Sequence, residues 1–383
     1  MIIYFYILLL GFWIWILVEF LRGFKTIESI DHYPMKETPQ LVSVIVAAKD
    51  EERHIEDTIL SIVAQENIEL ELIVVNDRSS DRTKQIIDDI SSRHSNVKAI
   101  TITSLPNGWL GKNYALYEGV KLARSNYLLF TDADVVFDKT ALARAFNYMV
   151  THEADHVTVA PHLKASSFLL KGLISYFLFG FSYLNKPWEA NKTSSKKGIG
   201  IGAFQLITRK CYTGVGGHER LRLRPDDDLA LGQLVKNSRY KQRFVTSLLR
   251  LTVEWYPNLN AAFKGFEKNA FAGLNYSYFM AGFAITGVII SQIFPFWHLF
   301  YGSSTEQLLS GITVLLVTMA YTISTLHFTR YPIWIVVGWP LFSLLFVYML
   351  SRALLLTMTR KEISWRDSRY SIDELKKFYK DTK

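Results

Sequence analysis

Apolar stretches at both ends of the chain constrain its fold more than any other feature. The first, Met1–Leu21, is about as long as the roughly 20 residues that a helix needs to cross a bilayer. It lacks the charged start and small-residue cleavage site of a signal peptide, and Arg22 and Lys25 follow it directly. We therefore expect an uncleaved transmembrane anchor over residues 1–23, with the middle of the chain in the cytoplasm.

Three more apolar stretches predict a transmembrane region over residues 273–357. They lie at Phe271–Leu299, Leu308–Leu326 and Ile333–Leu356. If all three crossed the bilayer, the tail over residues 358–383 would lie outside the cell, whereas its many lysines and arginines favour the cytoplasm. We therefore expect one stretch to be re-entrant or interfacial, and the pattern does not tell which. A multi-pass plasma-membrane protein is the expected class.

The composition narrows the range of binding partners that we expect. Hydrophobic residues make up 49% of the chain and charged residues 20%, and the apolar residues concentrate at the two ends. The single cysteine, Cys211, excludes an intramolecular disulfide and a cysteine-cluster metal site. The net charge of +8 suits anionic lipid head groups or phosphate-bearing ligands. Nucleic acid is not expected as a partner, because the basic residues are dispersed in a membrane-anchored chain.

Between residues 41 and 253 the sequence alternates strand-like and helix-like segments. Leu41–Ala47 is a continuous apolar run, typical of a strand that is covered on both faces, and a helix-spaced pattern follows it. The unit repeats, with further strands predicted at Leu70–Val75, Val97–Thr103 and Tyr127–Thr131. This alternation predicts an α/β domain with a mainly parallel sheet, preceded by a polar linker over residues 24–40.

A carboxylate follows each of three predicted strands. Asp50 follows the first and Asp77 the second, while Asp132 and Asp134 follow the last. Because ligands of such sheets bind beyond the carboxyl ends of the strands, we expect these side chains to converge on one crevice. Carboxylate oxygens suit Mg²⁺ or Mn²⁺, and a cation that bridges Asp134 and a diphosphate would neutralise a departing nucleotide. The alternative for each carboxylate is a solvated turn or a helix cap.

Five short segments occur in a distinctive order and spacing between Leu41 and Gly232. They are "VSVIVAAKDEE", "IVVNDRSSDRT", "GWLGKNYALYEG", "FTDADVVF" and "RPDDDLALG". Together they resemble family 2 glycosyltransferases with the GT-A fold. The resemblance implies a Rossmann-like mixed sheet, a nucleotide-diphosphate sugar as donor substrate and a divalent metal, Mg²⁺ or Mn²⁺, as cofactor.

The resemblance also implies roles in donor binding. Ala47, Asp50 and Glu51 would line the pocket for the base and ribose, and Asp77 would contact uracil or ribose. Lys112 would lie near the diphosphate or the base. Two positions depart from the family pattern, because Ala47 replaces a proline and Asp50 an asparagine, so the first loop is expected to lie slightly differently.

The remaining family positions are carboxylates. The family's Asp-x-Asp pair is Asp132 and Asp134, with Asp134 as the main metal ligand and Asp132 also near the donor. Asp228 matches the aspartate of the family's Glu-Asp pair, the general base, and Asp227 stands in the glutamate's place. The run Asp226–Asp228 leaves this register open by one residue, and an acidic turn that caps a helix is the alternative.

One base is enough for the expected reaction. The diphosphate leaves as a stable anion, so a single carboxylate that takes the acceptor's hydroxyl proton permits direct displacement with inversion at the anomeric carbon. A correctly placed general base contributes about 10²–10⁴-fold in rate.

Three features point to an acceptor or diphosphate region. In "GIGIG" the glycines, including Gly200 and Gly202, occur at every second position, and the resemblance implies a strand beside the acceptor site. His218 could contact substrate or serve the structure. The run Arg220–Arg224 predicts an extended segment with Arg222 and Arg224 on one side, which could attract a diphosphate or head group or pair with the aspartates.

Membrane-facing segments indicate a lipid acceptor. Ser167–Leu184 is very apolar and short for a span, so we expect an interfacial or re-entrant helix, with a buried core helix as the alternative. Residues 254–272 predict an interfacial amphipathic segment in which Trp255 suits the interface and Lys264 and Lys268 share a helical face. The tyrosine-proline and glycine-phenylalanine pattern of this segment, with "SWRDSRY" near the C-terminus, resembles bacterial carotenoid glycosyltransferases.

The sequence therefore predicts an inverting glycosyltransferase with a cytoplasmic catalytic domain. It would move one sugar from a UDP-sugar to a membrane lipid such as a carotenoid acid, a hopanoid or a glycerolipid. The alternatives are a polyprenyl-phosphate monosaccharide synthase and a non-catalytic GT-A scaffold in the membrane. A processive polysaccharide synthase is disfavoured because its Gln-x-x-Arg-Trp motif is absent from the sequence.

Overall fold

The computed structural model of the chain describes residues 2–36, 38–273, 277–360, 362–365 and 368–371. These residues form two compact units. The sheet unit comprises Ile27–Leu163 and Pro187–Glu254, and the helical unit comprises residues 2–26, Lys164–Lys186 and the described residues from Trp255 onward. The two units are described separately below.

Within the described residues, the sheet unit contains an eight-stranded mixed sheet with the strand order β3-β2-β1-β4-β7-β6-β8-β5. The strands are β1 (Thr38–Ala48), β2 (Ile68–Asp77), β3 (Val97–Ile102), β4 (Tyr127–Asp132), β5 (Val135–Phe137), β6 (His156–Leu163), β7 (Gln205–Thr208) and β8 (Gln242–Val253). A separate hairpin joins β9 (Glu362–Trp365) and β10 (Ser368–Ser371) in antiparallel pairing.

Helices connect most of these strands and form the whole of the helical unit's core. They are α1 (Ile2–Phe24), α2 (Ile55–Val63), α3 (Thr83–Arg93), α4 (Gly111–Leu122), α5 (Ala141–Thr151), α6 (Phe168–Asn185), α7 (Arg209–Gly214), α8 (Gly217–Arg220), α9 (Asp227–Asn237), α10 (Leu259–Gly273), α11 (Tyr278–Val288), α12 (Phe294–Tyr301), α13 (Ser304–Phe328) and α14 (Trp339–Arg360). Short 3₁₀ turns lie at Pro187–Asn191 and Ile333–Gly338, and a π-helical turn at Ile289–Ile293 joins α11 to α12.

The predicted parallel sheet is confirmed for its central strands. β1 pairs in parallel with β2 and β4, and β2 with β3, whereas β7 lies antiparallel between β4 and β6. Side chains of β1 alternate between two hydrophobic clusters: Val44 and Val46 enter one, and Ile45 enters the other. The continuous apolar run of β1 therefore reflects a strand that is buried on both faces.

The predicted linker over residues 24–40 is wrong for most of its length. α1 continues to Phe24, and residues 27–36 belong to the sheet unit. Ile30 is fully buried, and the Asp31 carboxylate accepts hydrogen bonds from the Ser247 hydroxyl at 2.8 Å and the Leu248 N–H at 3.0 Å. Polar composition misled the prediction, because this aspartate satisfies backbone groups of β8 rather than facing solvent.

A buried carboxylate joins three strands near the amino-terminal edge of the parallel strands. Glu71 of β2 faces Ser43 of β1 in register, and its Oε1 accepts hydrogen bonds from the Ser43 hydroxyl and the Arg124 N–H, both at 2.7 Å. Its Oε2 lies 3.0 Å from the Lys98 ammonium and 2.9 Å from Arg124 Nε. Burial raises the pKa of Glu71, but these donors outweigh burial and lower that pKa to about 2.

Glu71 should therefore make the stability of the full chain sensitive to acid. Its pKa is about 4.5 when unfolded and about 2 when folded, so its contribution is complete above pH 4.5 and is lost as the pH falls towards 2. We expect Glu71→Gln to lower the thermal midpoint in detergent by several degrees at pH 7, since a shift of this size corresponds to about 3 kcal/mol. The gap to wild type should narrow between pH 4.5 and 3. Glu69→Gln, an exposed position on the same strand, is the control, and an equal gap at both pH values would contradict the assignment.

In the described part of the chain, five helical segments are long and apolar enough to cross a bilayer: Ile2–Phe24, Phe168–Asn185, Tyr278–Tyr301, Ser304–Phe328 and Ile333–Leu356. The second of them, α6, differs from the rest in its connections. The chain leaves the sheet at the end of β6 and returns to pair as β7 with β6 itself. Because one sheet cannot lie on both sides of a bilayer, these connections argue against a full crossing by α6 and favour the interfacial or re-entrant helix.

Contacts within the helical unit give the last apolar stretch a direction. Trp339, at the start of α14, donates to the Thr318 hydroxyl in the middle of α13 at 2.9 Å and packs on Phe296 of α12. Further along, α14 packs on α10 and α11, with Tyr348 against Phe263. α14 thus runs antiparallel to the α11–α12 rod and ends near the start of that rod. The 3₁₀ turn Ile333–Gly338 precedes α14 and brings the chain back to the level of Thr318. The last apolar stretch, Ile333–Leu356, therefore has the contacts of a re-entrant segment.

If α11 begins at the cytoplasmic side, this arrangement predicts that the C-terminus also faces the cytoplasm. A C-terminal fusion to green fluorescent protein should fluoresce, and the same fusion to alkaline phosphatase should be inactive, because α14 returns to the side where α11 begins. A matched fusion after Gly302, between α12 and α13, should give the opposite pair of signals. Active phosphatase at the C-terminus would show that α14 completes a crossing.

Candidate active site

The carboxyl ends of three neighbouring strands define the site. Ala47 of β1 lies opposite Asp132 of β4 on one side and Val75 of β2 on the other. Asp77 is the last residue of β2, where its side chain is buried. The in-register parallel pairing thus brings the residues that follow β1, β2 and β4 to one edge of the sheet.

Lys112 lies at the centre of a carboxylate cluster. Its ammonium, on the first turn of α4, is 2.8 Å from Asp132 Oδ1 and 3.4 Å from Asp227 Oδ1. Burial alone lowers the pKa of Lys112, but the carboxylates of Asp132, Asp227 and Asp228 outweigh burial and raise that pKa, so the lysine is charged. A fixed cation at the start of one helix, between a strand end and the start of a second helix, is suited to holding an anionic group.

The three consecutive aspartates at the start of α9 have three different partners. Asp226 forms a bidentate pair with Arg224, with 2.9 and 2.7 Å between the atoms. Asp227 faces Lys112, whereas Asp228 Oδ2 accepts the Gly202 N–H at 2.9 Å and its Oδ1 accepts the Leu229 N–H at 2.8 Å. Geometry thus distinguishes the residues whose register the sequence left open by one position.

Glycines allow the segment over residues 198–202 to approach this cluster closely. A Cβ on Gly200 would collide with the Asp228 carbonyl oxygen, and one on Gly202 would collide with the Asp132 carboxylate. The segment lies outside the strands of the sheet, so the expected glycine-rich strand is wrong. Its alternating glycines pack against α9 and β4, and nothing in their spacing depends on a ligand.

Asp134 is the residue predicted as the main metal ligand. It lies in the turn between β4 and β5, and its partial burial, with the Asp132 and Glu51 carboxylates nearby, raises its pKa to about 7. Burial likewise raises the pKa of Asp227 to about 7, despite Lys112. Several carboxylates therefore compete for one lysine, and a divalent ion would favour their charged forms. Among the described residues no group of three or more His, Cys, Asp or Glu side chains could hold a metal by itself.

Hydrogen bonds interlock the loops after β1 and β2. Asp50 has a positive φ of 52°, and its Oδ1 accepts the Ser80 N–H at 2.7 Å. The Glu51 N–H donates to the Thr83 hydroxyl at 2.7 Å. The Asp50 carboxylate thus bridges two loops. Asp77 is likewise engaged, since it pairs with the neighbouring Arg78 at 2.7 Å.

The sequence did not indicate Asn113, which positions the arginine-rich turn. Its amide donates to the carbonyl oxygens of Leu221 at 2.6 Å and Arg224 at 2.9 Å. The Leu110 N–H donates to the Arg222 carbonyl at 2.7 Å. Residues 221–223 form a turn, so the expected extended run is wrong. The only available signal was that Asn113 directly follows Lys112, and its partners lie too far along the chain to be read from spacing.

Of the other predicted acceptor residues, His218 lies in the sheet unit and makes core contacts. His218 is buried against Phe130 and hydrogen-bonds Tyr212 at 3.0 Å through Nδ1; burial and Lys112 lower its pKa to about 3, so it is neutral. Trp255 and Lys264 belong to the helical unit. The side chain of Lys268 lies outside the described residues. The acceptor roles of these residues stay predictions.

Comparison with known proteins identifies the domain. Residues 43–213 match the family model "Glycosyl transferase family 2". This part of the chain is thus similar to family 2 glycosyltransferases, and the resemblance seen in the sequence motifs is confirmed.

Similar curated proteins are also glycosyltransferases by name. The chain is 27% identical over 216 residues to the 4,4'-diaponeurosporenoate glycosyltransferase of Staphylococcus haemolyticus, covering 54% of each chain. It is 30% identical over 216 residues to the probable glycosyltransferase YdaM of Bacillus subtilis, covering 55% of this chain and 50% of that protein. The matched part thus spans about half the length of these relatives.

A solved structure supports the fold. The mannosyltransferase PcManGT of Pyrobaculum calidifontis, in complex with GDP-Man and Mn²⁺, aligns over 94% of this chain and 99% of that chain with a TM-score of 0.55 at 15% identity. The predicted α/β fold of the GT-A type, with long apolar helices towards both ends, is confirmed.

Proposed function

We propose that the protein is an inverting glycosyltransferase that moves one sugar from a nucleotide-diphosphate sugar, with UDP as the expected nucleotide, to a membrane lipid. The observation that carries this proposal is the cluster of Lys112 with Asp132 and Asp227 beside Asp228, at the carboxyl edge of a family 2 domain. A scaffold would have no need to hold several carboxylates around one lysine, since such a cluster costs folding free energy.

Donor binding would use the strand ends. Lys112 would hold the diphosphate, with Asp134 and Asp132 as the residues that bind a divalent metal. When bound, the metal would supply positive charge to the departing diphosphate. The proposed pocket for the base and ribose would be lined by Ala47, Asp50, Glu51 and Asp77.

The proposed base is Asp228. It would take the proton of the acceptor hydroxyl or acid while the acceptor oxygen bonds the anomeric carbon and the bond from that carbon to the diphosphate breaks. The Gly202 N–H fixes Oδ2 of Asp228 and favours the charged carboxylate. The displacement occurs from the side opposite the leaving group, so the anomeric configuration inverts.

For the acceptor we propose a lipid that carries a hydroxyl or a carboxylate, such as a carotenoid acid, a hopanoid or a glycerolipid. Support comes from the name of the staphylococcal relative and from the five apolar helical segments. A phosphate acceptor, as in a polyprenyl-phosphate synthase, would need a basic pocket. Arg224 is already paired with Asp226, so the arginine-rich turn offers less for a phosphate than the sequence suggested.

The proposal predicts metal-dependent turnover that requires Asp228 but not Asp226. Full-length protein in detergent or nanodiscs would be given a panel of UDP- and GDP-sugars, Mn²⁺ or Mg²⁺, and lipid extract, and nucleotide release would be followed. We expect Asp228→Asn to lower kcat by about 10²–10⁴-fold with little change in nucleotide affinity. Asp134→Asn should abolish the metal-dependent release of nucleotide.

Asp226→Asn is the matched control, because it removes the neighbouring carboxylate, whose partner is Arg224. It should retain most of the activity. Equal losses in the Asp226 and Asp228 variants would contradict the assignment of the base. Nucleotide binding without turnover of any donor, even with lipid extract, would favour the scaffold, and transfer to a polyprenyl phosphate would favour the phosphate acceptor.

A further inference from the structure

A buried chain of polar side chains lies behind Asp228. Gln205, His156 and Gln242 are 3%, 0% and 1% exposed, and His156 faces Gln242 in the register of β6 and β8. Gln242 Nε2 lies 2.9 Å from His156 Nδ1, and His156 Nε2 lies 3.2 Å from Gln205 Oε1. Buried polar groups of this kind must be hydrogen-bonded, so the direction of each bond is constrained.

The neighbours of Gln242 fix the direction of the whole chain. Its Nε2 donates to the carbonyl oxygens of Ile199 at 2.9 Å and Gly232 at 3.0 Å, and its Oε1 accepts the Ile199 N–H at 3.1 Å. The amide therefore cannot be reversed, and its two N–H hydrogens are shared among these carbonyls and His156 Nδ1, which faces a donor and so carries no proton. His156 is then neutral with its proton on Nε2, which donates to Gln205. Burial, which lowers the pKa of His156 to about 4, agrees with this form.

Gln242 ties together the two pieces that hold Asp228. One piece is the segment over residues 198–202, where Gln242 binds both the N–H and the carbonyl of Ile199, and Gly202 donates to Asp228. The other is α9, which begins at Asp227 and whose Gly232 carbonyl accepts from Gln242. Thr158 supports the same segment by accepting the Ile201 N–H at 2.8 Å.

We propose that Gln242, which also hydrogen-bonds His156, is a positioning residue for Asp228. The inference rests on the proposed function, in which Asp228 takes the acceptor's proton. Gln242 fixes the separation between the Gly202 N–H and α9, and hence the direction of the Asp228 carboxylate. Gln242 bonds Ile199 and Gly232 directly, whereas Lys112 and Asp132 stand on α4 and β4, and Asp132 meets the same segment through its N–H, which donates to the Gly202 carbonyl at 3.1 Å. Loss of Gln242 should therefore impair the chemical step more than donor binding.

The first test compares Gln242→Met, which keeps the size of the side chain, with Gln233→Met in the full chain. Gln233 is a matched control because it also bridges this segment, accepting the Gly198 N–H at 3.1 Å and donating to the Lys196 carbonyl at 2.7 Å, but at a half-buried site. We expect Gln242→Met to lower kcat by roughly 10–100-fold, as small misplacements of a catalytic group do, with the Kd for UDP nearly unchanged. Gln233→Met should leave kcat near that of wild type.

The second test repeats Gln242→Met in the Asp228→Asn background under single-turnover conditions. If Gln242 acts through Asp228, the second substitution should cause almost no further loss of rate. An equal loss in both backgrounds, or a parallel loss of kcat and UDP binding, would show a general structural role and overturn the inference. His156→Leu, which removes one of the hydrogen-bond partners of Gln242, should show the same selective loss and replaces Gln242→Met if that variant does not fold.

The two proposals fail in different ways. Wild-type turnover in Asp228→Asn alone would overturn the assignment of the base and with it this inference. A large loss in Asp228→Asn together with wild-type kcat in Gln242→Met would overturn only the inference.

Discussion

The ion cluster around Lys112 is the interaction on which the rest of the site depends. The lysine stands at the start of α4, and its partners come from the end of β4 and the start of α9. Burial and nearby carboxylates raise the pKa values of Asp227 and Asp228 although Lys112 lowers them, and this opposes folding. The fold stabilises this arrangement through backbone donors and glycine contacts. The same buried charges, which oppose folding, would help to hold a metal and a diphosphate.

Two features on the far sides of this cluster keep it in place. The Glu71 network ties β1, β2 and the chain before β4 near their amino-terminal ends, so the strands reach the site in register. The Gln242–His156 chain fixes α9 against the glycine segment. Neither touches the proposed donor site, and both restrict where its carboxylates can lie. This division between supporting and reacting groups fits a site that must be held to a fraction of an ångström.

Local patterns predicted much of the fold, and long-range pairing explains what they missed. The apolar run of β1 and the spacing of the strands identified the parallel sheet, and parallel pairing made Asp77 and Asp132 candidates for one site, whereas Lys112 was implied by the family resemblance. Composition failed at residues 24–40, where Asp31 binds the backbone of β8. It also could not distinguish Asp226 from Asp228, because their partners, Arg224 and Gly202, are assigned only by the tertiary fold. Likewise, hydropathy located the last apolar stretch but not its direction, which depends on the contacts of Trp339 with α12 and α13.

The most direct test of the central claim is a titration of UDP into the full-length protein in Mn²⁺, comparing wild type with Lys112→Met. If Lys112 holds the diphosphate, the variant should bind UDP at least about tenfold more weakly, since a charge-assisted hydrogen bond contributes roughly 1.5–3 kcal/mol. Lys121→Met, on the exposed side of the same helix, should bind like wild type. Unchanged UDP affinity in Lys112→Met would contradict the account, because the cation at the centre of the cluster would then have no role in donor binding.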